Sequence, residues 1–269
     1  MDNFLTDLHM HSSFSGDAKD ALEDMVLSAI EKGCKYIAVT EHCNNDYTAH
    51  GLKGVAETNL DRYHREFPRV KDKYSKQIEI LYGIEIGYDA LANNMNGEFI
   101  KQRGFDYVIN SVHTIKGEDC YWGYYFDNRT QKEGYENYLN AVFESLSAPY
   151  RFNTIGHMGY ITRNSPFEGR DMFFDHQPLI EKILKKMISN GVALEVNANI
   201  CSAPRPCLPQ REIIKLYKDL GGELIVYGSD AHNTLDICRS RVEIMTLLKD
   251  CGFKYHSVFT DKGFKQFKI

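Results

Sequence analysis

Several features that would place a protein in a particular class are missing from this chain of 269 residues. No apolar run approaches the roughly 18 residues of a membrane span. No basic stretch stands out against the net charge of −5, so bulk charge does not indicate nucleic-acid binding. The N-terminal residues have no basic segment followed by an apolar core, and we therefore expect no secretory signal.

The seven cysteines are scattered, odd in number and never in C-x-x-C spacing. This pattern argues against a disulfide framework and against a thiolate zinc site. Free thiols in a reducing compartment fit it better, so the sequence predicts a cytoplasmic protein. With 43% hydrophobic and 26% charged residues, the composition is that of a globular protein with ample core.

Short apolar runs alternate with helical patterns along the whole chain. After a first strand that ends near residues 7–11, further strands are predicted at 36–40, 78–85, 107–113, 152–157, 192–197, 224–230 and 255–259. The segments between them repeat apolar residues with helical spacing, most clearly over 179–188. Such alternation favours parallel strands with helices outside. Roughly seven units suit a barrel better than an open sheet, and we interpret residues 1–269 as one domain.

Most of the predicted strands end in a histidine, an aspartate or a glutamate. His9 and His11 are two residues apart at the end of the first strand, so their imidazoles share a face and can bind one metal ion. The corresponding residues at the later strand ends are His42, Glu85, His113, His157, Asp230 and His232. In a parallel barrel these ends meet at one rim, where barrel enzymes have their active sites.

A single histidine is more often structural than a ligand, but this many at one rim are hard to explain as packing. Buried imidazoles would leave many ring nitrogens in need of partners. Imidazoles mixed with carboxylates suit zinc, manganese or iron, whereas calcium and magnesium prefer oxygen ligands. The candidates are too many for one ion, so the sequence predicts two or three divalent transition-metal ions.

Taken together and in this order, the strand-end motifs resemble those of the PHP (polymerase and histidinol phosphatase) family. They are D-L-H-M-H-S at 7–12, T-E-H at 40–42, G-I-E at 83–85, S-V-H at 111–113, G-H at 156–157 and G-S-D-A-H at 228–232. The resemblance implies a distorted (β/α)7 barrel with a trinuclear metal site at the C-terminal ends of its strands. The implied ligands are His9, His11, Glu85 and Asp230 for one ion, Glu85, His113 and His157 for a second, and Asp17, His42 and His232 for a third.

Three further stretches resemble a branch of the family that hydrolyses L-histidinol phosphate to L-histidinol and phosphate in histidine biosynthesis. They are F-S-G-D-A at 14–18, G-H-M-G-Y-I-T-R at 156–163 and L-E-V-N at 194–197. The implied partner is a small-molecule phosphate monoester, with neither nucleic acid nor membrane involved. The sequence leaves the oligomeric state open.

A phosphate monoester suits a multinuclear cationic rim. Two close metal ions can hold a bridging water and lower its pKa, so that hydroxide attacks phosphorus. Arg163, six residues past His157, is the candidate to neutralise the phosphoryl oxygens, and Arg205 is a second choice. The alternative for Arg163 is an exposed loop cation. Asp17 or His232 could assist departure of the alkoxide, a role that the sequence does not separate from metal ligation.

Other residues are candidates for contact with the rest of the substrate. Glu195 and Asn197 share a strand face and could meet its amine or imidazole, although inward polar packing explains them equally well. The aromatic loop at 121–126 either covers the pocket or is simply well packed.

The sequence leaves three other functions open. Another phosphoesterase of the same family, acting on phosphotyrosine or nucleotides, would share the site. An amidohydrolase-type barrel also begins with H-x-H, but His42, Glu85 and His113 argue against it. A non-catalytic metal-binding module is disfavoured, because no motif position is replaced by an inert residue.

Overall fold

The computed structural model describes residues 5–52, 58–199, 207–260 and 263–269. Its strands, numbered in chain order, are β1 (Leu5–Asp7), β2 (Cys34–Cys43), β3 (Glu79–Gly87), β4 (Tyr107–Ser111), β5 (Thr114–Ile115), β6 (Glu118–Asp119), β7 (Thr154–Ile155), β8 (Ala193–Asn197), β9 (Ile225–Gly228), β10 (Tyr255–Thr260) and β11 (Gly263–Lys268). Seven of them form one sheet in the order β1-β2-β3-β4-β7-β8-β9. Every neighbouring pair in this sheet is parallel.

The residues that follow the two edge strands approach each other and nearly close the sheet into a barrel. The Leu8 N–H donates to the Tyr227 carbonyl over 3.1 Å, and the Asp230 N–H donates to the His9 carbonyl over 2.8 Å. A parallel bridge then pairs Met10 with the residue after Asp230. The predicted seven-stranded α/β barrel is therefore confirmed.

Eight α-helices occur in the described part of the chain, most of them between successive barrel strands. They are α1 (Leu22–Glu31), α2 (Asn45–Ala49), α3 (Leu60–Tyr74), α4 (Asn93–Arg103), α5 (Gln131–Ser145), α6 (Phe173–Asn190), α7 (Arg211–Asp219) and α8 (Arg241–Asp250). The sequence did not predict α4, because only Asn96 of its residues is buried and no apolar face marks it. None of the described helices is long and apolar enough to cross a membrane.

Three predicted strands run too far at their C-terminal ends. The strand predicted at 107–113 ends at Ser111. The strand predicted at 152–157 is only Thr154–Ile155, and the one predicted at 224–230 ends at Gly228. His157 and Asp230 have φ angles of 24° and 54°, which an extended strand does not allow. The backbone therefore leaves the sheet where the predicted ligands begin.

The side chains that face the inside of the barrel form two layers, one apolar and one polar. Leu81 and Glu85 lie on one face of β3, since they are four residues apart. Leu81 belongs to an apolar cluster with Tyr107 and Ile109, and Val258 of β10 is fully buried against it. The hairpin β10–β11 thus caps the apolar layer, while the polar layer lies towards the C-terminal strand ends. The sequence predicted β10 but not its partner.

Asp7 stabilises the closure of the barrel, and its substitution tests this role. Its two carboxylate oxygens accept hydrogen bonds from the backbone N–H groups of Ser229 (2.8 Å) and Cys238 (2.9 Å), and the side chain is buried. Asp7→Asn would turn an amide NH₂ towards one of these donors. We expect the free energy of unfolding to fall by about 1–3 kcal/mol in chemical denaturation. The exposed Asp72→Asn is the matched control, and equal stability of the two variants would contradict this account.

Candidate metal centre

His9 and His11 meet as the sequence predicted. Both rings are fully buried, and their Nε2 atoms lie 3.1 Å apart. Asp230 approaches from the opposite edge of the sheet, with Oδ1 3.7 Å from the Nε2 atom of His9 and 3.3 Å from that of His11. The barrel closure brings the first and last barrel strands together and so assembles this group.

Glu85 occupies the centre of the cluster at the end of β3. Its Oε1 atom lies 2.8 Å from the Nε2 atom of His157 and 3.3 Å from that of His113. Its Oε2 atom faces the other way, 2.9 Å from His42 Nδ1 and 3.3 Å from His9 Nε2. One buried carboxylate is thus shared between two groups of imidazoles.

The third group lies on the more open side of the cluster. Asp17 Oδ2 is 3.3 Å from His42 Nε2 and 3.5 Å from His232 Nε2. The Asp17 side chain is 44% exposed, whereas Glu85 is buried. Burial raises the pKa of Asp17, but its contacts with the two histidines outweigh this and hold that pKa well below its usual value. This carboxyl group is therefore an anion at neutral pH.

The donor atoms fit metal ions. Among the described residues three groups bring ligand atoms within 4.8 Å of one another, namely His9, His11 and Asp230, then Glu85, His113 and His157, and finally His11, His42 and His232. The Oε2 atom of Glu85 makes no hydrogen bond within the described structure, although imidazole nitrogens surround it. A buried anionic oxygen in this setting needs a cation.

The electrostatics of the cluster support the same conclusion. Burial lowers the pKa of His9, but Glu195, Glu85 and Asp230 outweigh it and raise that pKa well above its usual value. Burial raises the pKa of Glu85, yet His9, His113 and neighbouring imidazoles lower it well below its usual value. The carboxylates thus favour positive charge on His9, and the imidazoles favour the ionised form of Glu85.

A family model described as the PHP domain matches residues 7–199, well over half of the chain and most of the cluster. The chain belongs to the PHP family. The histidinol-phosphatase of Lactococcus lactis subsp. lactis (strain IL1403) is 30% identical over 261 residues, 96% of this chain and 95% of that protein. The histidinol-phosphatase of Bacillus subtilis (strain 168) is 25% identical over 253 residues, 86% of this chain and 94% of that protein.

One solved structure has a fold similar to that of this PHP protein. It is histidinol phosphate phosphatase from Lactococcus lactis subsp. lactis Il1403, complexed with zinc, L-histidinol and phosphate. It matches with a TM-score of 0.83 and 28% identity, covering 97% of this chain and 98% of that chain. Together with the converging donor atoms, this supports a divalent-metal site in the present protein.

Glu195 lies behind the metal ligands of this PHP protein. Its Oε1 atom is 2.6 Å from His9 Nδ1, and its Oε2 atom accepts a hydrogen bond from the backbone N–H of His157. Asn197 donates to the same carboxylate over 3.2 Å. Both side chains are fully buried and neither lines the cavity, so the structure does not support their predicted contact with substrate. Glu195 instead holds the His9 ring with its Nε2 atom towards the cluster.

Arg163 reaches the site, as the sequence predicted, and is not an exposed loop cation. It is only 4% exposed and lines the cavity. Its Nη2 atom donates to Asp230 Oδ2 over 2.8 Å and to Asn197 Oδ1 over 3.0 Å. The guanidinium therefore also holds a predicted ligand, which the sequence did not indicate. Arg205, the second choice for phosphate contact, lies outside the described residues.

Two supporting residues were not predicted from the sequence, although both lie within its motifs. Ser111 donates from its hydroxyl to Glu85 Oε1 over 2.7 Å and so orients that carboxylate. Glu41 accepts from the backbone and hydroxyl of Ser12 and from the hydroxyl of Ser15, and burial raises its pKa to about 7. The available signal was their place in S-V-H and T-E-H, where Ser111 stands two residues before His113 and Glu41 stands one residue before His42.

Glycine is required where strands pass closely behind the ligands. A Cβ atom at Gly228 would lie 2.4 Å from Glu195 Oε1 and 2.5 Å from His9 Cβ. A Cβ atom at Gly156 would lie 2.2 Å from Ser111 Oγ. The glycines of G-S-D-A-H and G-H therefore make room for the groups that position the ligands.

A cavity of about 840 Å³ opens from the cluster to the surface. The predicted ligands that line it are Asp17, His42, Glu85, His113, His157, Asp230 and His232. The aromatic loop divides in two, because Tyr125 and Phe126 are buried in the core whereas Tyr121, Trp122 and Tyr124 line the outer cavity. Both interpretations of this loop hold, each for one part of it.

The contact between Glu195 and His9 predicts a metal-binding defect. Glu195→Gln would place an amide NH₂ against the His9 ring or the His157 backbone donor. We expect metal affinity to fall by about 10- to 100-fold, as for other partners behind a metal-binding histidine. Competition with a graded series of chelator concentrations measures the loss. Glu181→Gln, on the exposed face of α6, is the control, and equal resistance of both variants to chelator would refute the positioning role.

Proposed function

We propose that this PHP protein is a metal-dependent phosphate monoesterase that hydrolyses L-histidinol phosphate to L-histidinol and phosphate. The observation that supports it best is the shared carboxylate of Glu85, with one oxygen towards His113 and His157 and the other towards His9 and His42. This arrangement suits a multinuclear centre at the base of a cavity. The histidinol-phosphatases of two bacteria, similar over most of the chain, support the choice of substrate.

The site would hold three divalent transition-metal ions. We assign one to His9, His11, Glu85 and Asp230, one to Glu85, His113 and His157, and one to Asp17, His42 and His232. Bound ions would neutralise phosphoryl oxygens and bring the pKa of a bound water close to neutrality. Zinc is one choice, since the similar Lactococcus structure contains it, and manganese and iron suit the same donors.

The chain's own residues would orient the ester and manage its charge. Arg163 lies in the cavity wall beside Asp230, so its guanidinium can face a phosphoryl group bound at the ions. Asp17 and His232 lie on the open side, and we propose that one of them assists proton transfer to the departing alkoxide. We also propose that residues 1–269 form a single domain. The cytoplasmic location stays a prediction.

The bridging role of Glu85 is tested by its amide variant. Glu85→Gln should lose both metal and turnover, because a neutral amide is a poor bridge between two cations. Elemental analysis of protein purified without chelator should give close to three ions per chain in the wild type and fewer in the variant. Turnover of L-histidinol phosphate is measured on the same samples.

The control for this test is His64→Asn. His64 lies on α3, where its Nδ1 atom contacts the Tyr82 hydroxyl over 2.9 Å, outside the cluster. This variant should keep its metal and nearly all its activity. Full activity of Glu85→Gln would remove Glu85 from the site, and one ion or fewer in active wild-type protein would refute the trinuclear assignment.

The contact between Arg163 and the phosphoryl group gives a separate prediction. Arg163→Met should lower kcat/KM by roughly 100-fold, about 3 kcal/mol, because a guanidinium that grips two phosphoryl oxygens is lost. The loss should be similar for L-histidinol phosphate and for a simple aryl phosphate, since both contain the same group. Metal content measured in parallel separates the two roles of this residue. If activity falls only in proportion to metal content, the role of Arg163 is to hold Asp230 and not to contact the phosphoryl group.

A further inference from the structure

The outer half of the cavity has an aromatic wall that the metal centre does not use. Trp122 and Tyr124 are 53% and 58% exposed, which is unusual for such large rings, and both face the cavity. Trp122 is the sole tryptophan of the chain. Exposed aromatic rings at a cavity mouth are typical of ligand contact rather than of packing.

The exposed rings are held in place by buried neighbours. Cys120, Tyr125 and Phe126 are buried on either side of them in sequence. The Cys120 N–H donates to the His113 carbonyl over 3.0 Å, and the Tyr125 N–H donates to the Trp122 carbonyl over 3.0 Å. The wall is thus anchored to a predicted metal ligand and to the core, so its rings are positioned before any ligand binds.

The rings form a continuous series from the metal ligands to the cavity mouth. The Tyr160 ring lies 4.8 Å from His157 and 5.0 Å from His113, centroid to centroid. Tyr121 lies 5.4 Å from Tyr160, and Trp122 lies 4.9 Å from Tyr121. These separations are typical of aromatic pairs. An ester whose phosphate reaches the ions would therefore place its alcohol part along this wall.

The acidic group beside the wall adds a charge preference. Asp119 accepts from the Tyr47 hydroxyl over 2.9 Å and from the Tyr121 N–H over 2.8 Å, and it lines the same cavity. Within the described part of the chain no basic side chain forms an ion pair with it, whereas neighbouring Glu118 pairs with Arg129. A cationic amine on the ligand would supply the missing countercharge.

We infer that Trp122, Tyr121 and Asp119 form a subsite for the alcohol part of the substrate, selecting an alcohol that has a flat ring and a cationic amine. Trp122 and Tyr121 would contact the ring by stacking or, when the ring is protonated, by cation–π attraction. Asp119 would pair with the amine. This inference rests on the proposed function and specifies how L-histidinol phosphate would be distinguished from other phosphate esters.

The activity test compares two substrates that differ only in the ring. L-alaninol phosphate has the amine and the phosphate of L-histidinol phosphate but lacks the imidazole. Trp122→Ala should lower kcat/KM for L-histidinol phosphate by roughly tenfold or more, and change it little for L-alaninol phosphate. Trp122→Phe should recover most of the loss. Phe174→Ala, which removes a 73% exposed ring outside the cavity, should leave both values unchanged.

Asp119→Asn tests the amine contact separately. Because both substrates contain the amine, loss of the Asp119 charge should lower kcat/KM for both by a similar factor. Metal content of all variants is measured alongside. Equal losses of Trp122→Ala on both substrates, or no loss at all, would overturn the ring subsite. Unchanged kinetics of Asp119→Asn would overturn the amine contact.

Binding of L-histidinol, which has no phosphate, tests the subsite independently of the proposed function. Since Trp122 is the sole tryptophan, wild-type fluorescence reports directly on the wall. L-histidinol should change it saturably and L-alaninol should not. A Trp122→Phe, Phe174→Trp double variant moves the fluorophore out of the cavity and should not respond.

The two proposals then fail in different ways. Absence of L-histidinol phosphate turnover in metal-replete wild-type protein would refute the proposed function. A saturable response to L-histidinol in that same protein would still support the subsite. A wild-type fluorescence signal that does not respond to L-histidinol would overturn the subsite, whatever the turnover.

Discussion

The carboxylate of Glu85 is the constraint on which the rest of the site depends. A fully buried anion is costly unless opposite charge surrounds it. Here imidazoles approach both oxygens, and the Ser111 hydroxyl fixes the orientation of one of them. Because Glu85 lies between all the histidine groups, the positions of those groups are set relative to it. Bound metal ions would supply the positive charge that buried carboxylates favour.

The barrel makes that cluster possible by separating two layers. The apolar layer under the hairpin cap excludes water from below, and the polar layer above it meets solvent through the cavity. At the boundary the backbone departs from strand geometry. His157 and Asp230 adopt positive φ angles, a strain that proteins retain at functional sites when the surrounding packing fixes it. The hydrogen bonds of Glu195 and Arg163 to these residues supply that fixation.

The cavity combines two kinds of recognition. Its inner end is a set of charged groups suited to ions and phosphate, and such groups act on any phosphate ester alike. Its outer end is aromatic, with a single uncompensated carboxylate at Asp119 within the described structure. Selectivity among esters must then come from the outer end, because the inner end contacts only the phosphate group that all of them share.

The barrel and the residues of the cluster were predictable from local sequence patterns. Strand and helix periods are local, and parallel strands bring their C-terminal ends together, so the pattern alone places His9, Glu85 and His113 at one rim. Their roles as ligands stay predictions. The ends of the strands were less predictable, since the backbone turns at His157 and Asp230 depend on contacts with distant residues.

The contacts behind the ligands and the choice of residues that face the cavity depend on the tertiary fold. Glu195 contacts His9 across 186 positions of sequence, and Arg163 contacts Asp230 across 67. Such pairs depend on register and closure of the barrel, which no local pattern encodes. The same reason explains the divided aromatic loop, where burial of Tyr125 and exposure of Trp122 follow from the surrounding elements and not from residue type.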